Sequence, residues 1–509
     1  MSAFIGIDVG TSATKALVMD GRGKVLATAT GPHDVLTPRP GWSQQDPDQW
    51  WKATCQAVRT ACRDANVQAG AVGAIGLSGQ MHGLVMLDGA GRPIRPAIIW
   101  NDQRTAQQAR EVEQTAGGRD RLIALTGNVA MTSFTLTKLL WVRRHEPKHY
   151  ARMRHLLLPK DYVRLCLTGQ YAGDVSDMSG TLMLDQRRRD WSPTILRLFD
   201  IDPAVLPKVY ESREVVGRLT PRAAAQLGLS AGVKVVAGAG DQPAGAVGNG
   251  VVAPGLTSAT MGTSGVVYVH SKDYVVDPAG RVQTFCSAVD GEYCMFGCVL
   301  AAGGSFQWFR NQLGQAEQSA ARRLKVDPYE LLTQQAASAR PGCRGVFWLP
   351  YLTGERTPHA DPRARACWIG LHAGTTRQEL VRAVLEGATF AMNDVVSILR
   401  DRGLRPRQIR LSGGGARSAF WRQLQADVYG TTCVTINAEE GPAYGAALLA
   451  AVGAGRWPNV RAACREAIRV RRTIRPQAKT HRLYEAYYRQ YAALYPALKD
   501  QFGTIAELP

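Results

Sequence analysis

"FIGIDVGTSATKALVMD", residues 4–20, starts as an apolar strand and is interrupted midway by Asp8 and then by Gly10-Thr11-Ser12. A segment bound for a core loses free energy by burying an acid and two hydroxyls unless they have partners or a task. The second half of the chain holds a similar phrase. There Thr260-Met261-Gly262-Thr263-Ser264-Gly265 stands between two apolar runs. A strand, a Gly-Thr-Ser turn and a second strand thus occur near the start of each half. This repeat predicts two related lobes facing each other.

The neighbouring residues extend each lobe. Asp20-Gly21-Arg22-Gly23 is a turn sequence leading into a strand at Lys24–Ala29. Asp46 is a helix N-cap with Pro47 at the first helical position, and Trp50, Ala53, Val58 and Ala61 follow at helical spacing. "AVGAIGLSGQMHGLVMLD" (71–88) reads as two strands around a Gly-Gln-Met-His-Gly break. Strand, strand, helix and strand make an α/β lobe with a mixed sheet. Near residue 233 the pattern restarts: "VKVVAGAGDQPAGAVGNG" is a strand ending in glycines and Asp241. A strand, the triple glycine 413–415 and a helix come later, then a helix with Pro442 at its start. In the tail, Tyr484, Tyr488, Tyr491 and Tyr495 form one helical stripe, expected to pack against a lobe. No low-complexity linker separates the halves. The expected boundary lies near 248–255, giving lobes 1–247 and 248–509.

Composition narrows the function classes. The 509 residues are 45% hydrophobic and 20% charged, as in globular proteins of more than one domain. The start has no basic region followed by an apolar core and cleavage site, and no apolar run reaches membrane-spanning length. A cytoplasmic protein with no membrane partner is expected. The ten cysteines form no Cys-x-x-Cys pair, so free buried thiols are expected rather than a zinc site. The net charge of +19 comes mainly from dispersed arginines, with no nucleic-acid-binding module beside them. A basic surface attracting anions non-specifically is expected, without a specific nucleic-acid partner.

The turns carry the chemistry. Glycine brings backbone N–H groups up to an anion, and Thr and Ser hydroxyls add donors. Thr11, Ser12 and Lys15 are candidates to hold terminal phosphates from one side, with Thr263 and Ser264 from the other. The alternative is that each turn only makes a tight hairpin. Walker spacing is absent. A carboxylate beside phosphates, Asp8, acts best through Mg2+. Asp241 at a strand end is placed to accept the proton of an attacking hydroxyl, or to cap the following helix. The triple glycine suits either a flat adenine ring or tight strand-to-helix packing. His82, between glycines at a strand end, is a candidate reader of a polyhydroxylated ligand, with Met81 as its apolar platform.

At this point the residues resemble a known family. Phosphate hairpins in two lobes are similar to the actin/hexokinase/Hsp70 superfold, and the details resemble the FGGY carbohydrate kinases. "SFTLTKLLWVRRH" (133–145) has the Lys138/Trp141 spacing of one family signature, and "ACWIGLHAGTTRQELVRAVLEG" (366–387) resembles the other. "SGQMHG", "WNDQR", "LLPKDYVRLCLTG", "SDMSGT" and "PYLTGERTP" are similar to the xylulokinase branch. Glycerol kinases carry Arg-Glu where this chain has Met81-His82. The resemblance implies an α/β, two-lobed actin-like (ribonuclease H-like) ATPase fold with duplicated mixed β-sheet domains and a cleft between them. It also implies ATP-dependent phosphorylation of D-xylulose at O5, with Mg2+, in a homodimer. Asp241 is then the proton acceptor, Asp8 a magnesium- and substrate-side carboxylate, and Met81, His82 and Gln242 substrate contacts. Thr11, Ser12, Lys15, Gly262, Thr263, Gly303, Gly415 and Ala416 line the nucleotide. The chain departs from close relatives at Gln242, where Asn is frequent, and at Ala239, where a third Gly is common. Gln242 keeps a second reading open: a kinase of the same family acting on another ketose or a polyol.

Overall fold

The computed structural model describes residues 2–438 and 440–508. The first sheet has seven strands: β1 (Ala3–Val9), β2 (Ala13–Asp20), β3 (Val25–Pro32), β4 (Val72–Gly79), β5 (Val215–Arg218), β6 (Lys234–Val236) and β7 (Ala239–Gly240). β1, β2 and β3 form an antiparallel meander, and β4 lies parallel to β1 on its other side. β6 and β7 both run parallel to β4, and β5 closes the edge antiparallel to β6. The second sheet has β8 (Leu256–Met261), β9 (Gly265–Ser271), β10 (Gln283–Cys286), β11 (Tyr293–Val299), β12 (Gln408–Ser412), β13 (Cys433–Ile436) and β14 (Val470–Ile474). Its wiring repeats the first: β8, β9 and β11 form a meander, β12 and β13 run parallel to β8, and antiparallel β14 closes that edge. Short apolar runs buried on both faces explain why the central segments are strands. Ile5, Ile7 and Val9 are fully buried, each side chain worth about 1.5–3 kcal/mol when removed from water.

Helices fill the faces. α1 (Pro47–Asp64) starts as expected, with the Asp46 side chain accepting from Asp48 N at 3.0 Å. α2 (Thr135–His145) and α3 (Pro159–Thr168) extend the first half, and α4 (Asp241–Gly248) follows β7. α5 (Ala302–Leu313), α6 (Arg377–Asp401), α7 (Ala419–Tyr429), α8 (Gly441–Gly453) and α9 (Ala478–Ala506) belong to the second half. The tyrosine stripe on α9 packs as expected: Tyr484, Tyr488 and Tyr491 surround Phe390 of α6, and Tyr484 Oη donates to Glu386 at 2.7 Å.

Two features differ from the sequence expectation. The second strand of the 71–88 segment, Val85–Leu87, leaves the main sheet and pairs with His155–Leu157, because Gly79 to Gly83 turns the chain away. Asp241 opens α4 instead of capping it, and Gly240 holds the cap position. A further finding concerns α8, which comes from the second half yet packs on the first sheet. A Cβ on Gly6 would lie 1.9 Å from Ala443 O, and one on Gly76 2.1 Å from Ala446 O. α8 also meets α4, where a Cβ on Gly445 would fall 1.8 Å from Ala244 O. Small residues let these backbones touch, and a single apolar cluster joins Phe4 and Leu17 to Leu448 and Val452. Among the described residues no helix is long and apolar enough to cross a membrane.

Candidate active site

The site is built where parallel strands of the first sheet end together. Asp8 pairs with Ser78 of β4, and Ser78 pairs on its other side with Ala239 of β7. Asp241 stands two residues beyond Ala239, so the two acids flank the end of β4. Gly238 makes the approach possible: its φ is 80°, and a Cβ there would sit 2.2 Å from Leu77 O. Gly240 lets Met81 lie against the same turn, since a Cβ would meet Met81 Cε at 2.7 Å. Behind it, Gly240 N donates to Ser176 Oγ at 3.2 Å, and Ser176 Oγ donates to Asp174 Oδ2 at 2.5 Å.

Protein surrounds both acids, and each keeps a little accessible surface. Burial pushes the Asp241 carboxyl up to about 7, and the Asp8 charge adds to the rise against the amide groups of Gln242. Burial likewise raises Asp8 to about 6, against the Ser78 hydroxyl and the Lys15 ammonium. Asp8 Oδ1 has no hydrogen-bond partner among the described residues. Asp241 is therefore poised to exchange a proton near neutrality, while Asp8 keeps an oxygen free for a ligand.

His82 follows Met81, the residue packed on Gly240. Its ring lies between Phe134 (centroids 4.9 Å apart, 88° between planes) and Phe285 (5.9 Å, 73°). Nδ1 lies 2.9 Å from Gly180 O, and a carbonyl oxygen only accepts, so Nδ1 carries the proton and Nε2 is the bare acceptor. Burial lowers its pKa to about 3, which keeps the ring neutral. Gln242, next to Asp241 in α4, is half-buried.

The two Gly-Thr-Ser turns occupy equivalent places. In the first, Gly10 N donates to Ala13 O at 3.1 Å, while Gln80 Nε2 donates to Gly10 O and Gln45 Nε2 to Thr11 O, at 3.2 and 2.6 Å. Trp100 Nε1 donates to Thr11 Oγ1 at 2.9 Å, and Ser12 is exposed. Lys15 Nζ pairs with Glu440 at 2.6 Å, tying β2 to the start of α8. In the second, Gly262 N donates to Ser264 O, and Gly303 N and Gly304 N donate to Gly262 O and Thr263 O, each at 2.9 Å. A Cβ on Gly303 would lie 2.3 Å from Gly262 O, so glycine brings the start of α5 onto the hairpin. Where the first lobe pairs Asp8 with Ser78, the second pairs Thr260 with Ser412, their hydroxyls 2.8 Å apart. The acid belongs to one hairpin alone.

A cavity of about 450 Å³ opens beside the second hairpin, lined by Gly262, Thr263, Gly303 and Gly415 together with Phe306, Tyr329, Arg417 and Trp421. Its volume and aromatic walls suit a planar ring joined to a polar tail. Gly413 and Gly415 fill the close-packing role. They pack on Met261, where added Cβ atoms would come within 2.6 Å of its O and 2.8 Å of its Sδ, and Gly415 faces the cavity. Ala416 lies next to this lining, with its carbonyl accepting from Arg422 at 2.6 Å. Thr11, Ser12 and Lys15 are outside the cavity, on the first hairpin. Residue reasoning missed Tyr329, Trp421, Gln45 and Ser176. Ser176, Gln80 and Trp100 fell inside quoted motifs, "SDMSGT", "SGQMHG" and "WNDQR", without a role of their own.

Comparison with known proteins identifies the family. The model of the N-terminal domain of the FGGY family of carbohydrate kinases matches residues 3–248, and that of its C-terminal domain matches 257–454. The chain is 40% identical to the xylulose kinase of Escherichia coli (strain K12), over 89% of this chain and 90% of that one. It is 36% identical to the xylulose kinase of Bacillus subtilis (strain 168), over 98% of both chains. The solved xylulose kinase of Rhodospirillum rubrum superposes with a TM-score of 0.90 at 30% identity, covering 98% of this chain and 100% of that one. The chain belongs to the FGGY family of carbohydrate kinases, enzymes whose substrates are ATP and a sugar.

Proposed function

We propose that the protein transfers the γ-phosphoryl group of ATP to O5 of D-xylulose, giving D-xylulose 5-phosphate in xylose catabolism. The observation that carries this reading is the placement of Asp8 and Asp241 on either side of Ser78, with Met81 packed on Gly240 beside them, in a chain whose relatives include xylulose kinases. Asp241 takes the hydroxyl proton as the new O–P bond forms and the bond to ADP breaks. His82 Nε2 accepts a hydrogen bond from the sugar, Met81 supplies an apolar face, and Gln242 reads a neighbouring hydroxyl. Thr11, Ser12 and Lys15 hold the terminal phosphates from the first lobe, and Gly262 and Thr263 hold them from the second. Gly303, Gly415 and Ala416 border the rest of the nucleotide. Lys15 exchanges Glu440 for phosphate when it does so.

The unpartnered Asp8 Oδ1 fits Mg2+, held directly or through its waters. Bound with ATP, the ion supplies charge neutralisation at the phosphates. The lobes, 1–247 on the sugar side and 248–509 on the nucleotide side, close to exclude water. The family resemblance further supports a cytoplasmic homodimer.

Gln242 favours a second reading, a kinase for another ketose or a polyol, because its side chain is one methylene longer than the Asn frequent in close relatives. An ADP-release assay over D-xylulose, D-ribulose, alditols and glycerol separates the two. The highest kcat/KM is expected for D-xylulose, and a clear preference for another acceptor overturns the assignment.

A further inference from the structure

The signature segment 133–145 contains a lysine that the reaction itself does not use. Lys138 is wholly buried, and among the described residues no carboxylate lies within 4.0 Å of its ammonium. A charge held in this way costs free energy, so its contacts indicate what it does. Nζ donates to two carbonyl oxygens, Ser133 O and, at 2.9 Å, His82 O. Thr135 Oγ1 reaches the same His82 O at 3.1 Å. Thr135 and Lys138 are three residues apart on the first turn of α2 and so present a hydroxyl and an amine to one acceptor.

The carbonyl they grip belongs to a strained residue. His82 has φ 70°, the left-handed region that a residue with a Cβ adopts only when its surroundings impose it. The other side of the residue is fixed too. Gly180 O takes Nδ1, and a Cβ on Gly180 would lie 2.4 Å from that nitrogen, so the ring has one seat. Among the described residues Nε2 has no hydrogen-bond partner. If the grip on the carbonyl were released, the backbone would relax toward negative φ and carry the ring out of its seat.

We propose that Lys138 is a positioning residue of the sugar site: with Thr135 it clamps the His82 carbonyl, holding the strained backbone so that the bare Nε2 is presented to the acceptor sugar. The proposal rests on the assignment of His82 as a sugar contact. It gives the signature lysine a task in acceptor recognition, separate from nucleotide binding.

Steady-state kinetics of Lys138→Met, with D-xylulose and ATP varied in turn, provide the test. The sugar KM is expected to rise about tenfold while the ATP KM stays within about twofold. In 15N-histidine-labelled enzyme the His82 ring signals, assigned by their loss in His82→Ala, are expected to shift. An unchanged sugar KM with unmoved His82 signals overturns the proposal. Should Lys138→Met fail to fold, Thr135→Val replaces it, with a rise of about threefold expected and none overturning the clamp. His82→Ala separates the two levels. If it leaves the sugar KM unchanged, the reading of His82 itself fails; if it raises KM while both clamp variants do not, only the clamp fails.

Discussion

Asp8 and Asp241 flank one residue. Ser78, at the end of β4, pairs with Asp8 on one side and with Ala239, two positions before Asp241, on the other. The two carboxylates are thereby fixed by sheet register on either side of one strand, and the Asp8 charge raises the pKa of Asp241.

This coupling has a pH signature. The general base works ionised, so kcat/KM is expected to fall as pH drops through about 7, the value to which burial and the Asp8 charge raise Asp241. Asp8→Asn removes a like charge, and the acid limb of its residual activity is expected at lower pH. Stability follows the opposite course. With a folded pKa above the unfolded 3.8, the contribution of Asp241 is fully present below that value and is lost as pH rises through about 7. At pH 8, without ligands, Asp241→Asn is expected to melt a few degrees above the wild type; a lower Tm contradicts the burial argument.

The contact between α4 and α8 bears on both stability and catalysis. Gly445→Ala sets a Cβ against Ala244 O and must part the helices, at a cost of about 1–3 kcal/mol. Urea unfolding measures this, and a fall in kcat is expected with it because α4 carries Asp241.

Gly303→Ala separates the two substrates. Its Cβ would displace the Gly262 turn from the start of α5, so the ATP KM is expected to rise at least fivefold, on the order of the 1 kcal/mol that one lost hydrogen bond is worth. The sugar KM is expected to stay within about twofold.

Ser176→Ala leaves Gly240 N without its acceptor just before Asp241. A buried N–H stranded in this way costs about 1–3 kcal/mol. Part of that is expected in kcat, which falls about tenfold with little change in either KM.

What could be read from the sequence was local. Gly10-Thr11-Ser12 and Gly262-Thr263-Ser264 announce their turns because glycine and hydroxyl chemistry act within a few residues. Asp46-Pro47 and the spacing of the α9 tyrosines are local in the same sense. The seat of α8 was hidden, because 441–453 is apolar all round and its pattern does not tell one sheet from another. Tyr329 and Trp421 line one cavity from positions far apart in the chain, and Ser176 reaches Gly240 across 64 residues. Such contacts come from topology and leave no mark in residue spacing. His82 stood out through its flanking glycines; the lysine gripping its carbonyl did so only through a resemblance.

The central claim is that Asp241 removes the proton of the acceptor hydroxyl. Single-turnover phosphoryl transfer by Asp241→Asn, under conditions where calorimetry shows that ATP and D-xylulose still bind, tests it most directly. A rate lowered about a thousandfold or more at unchanged affinities is the predicted result. Near-normal transfer by that variant would contradict the account.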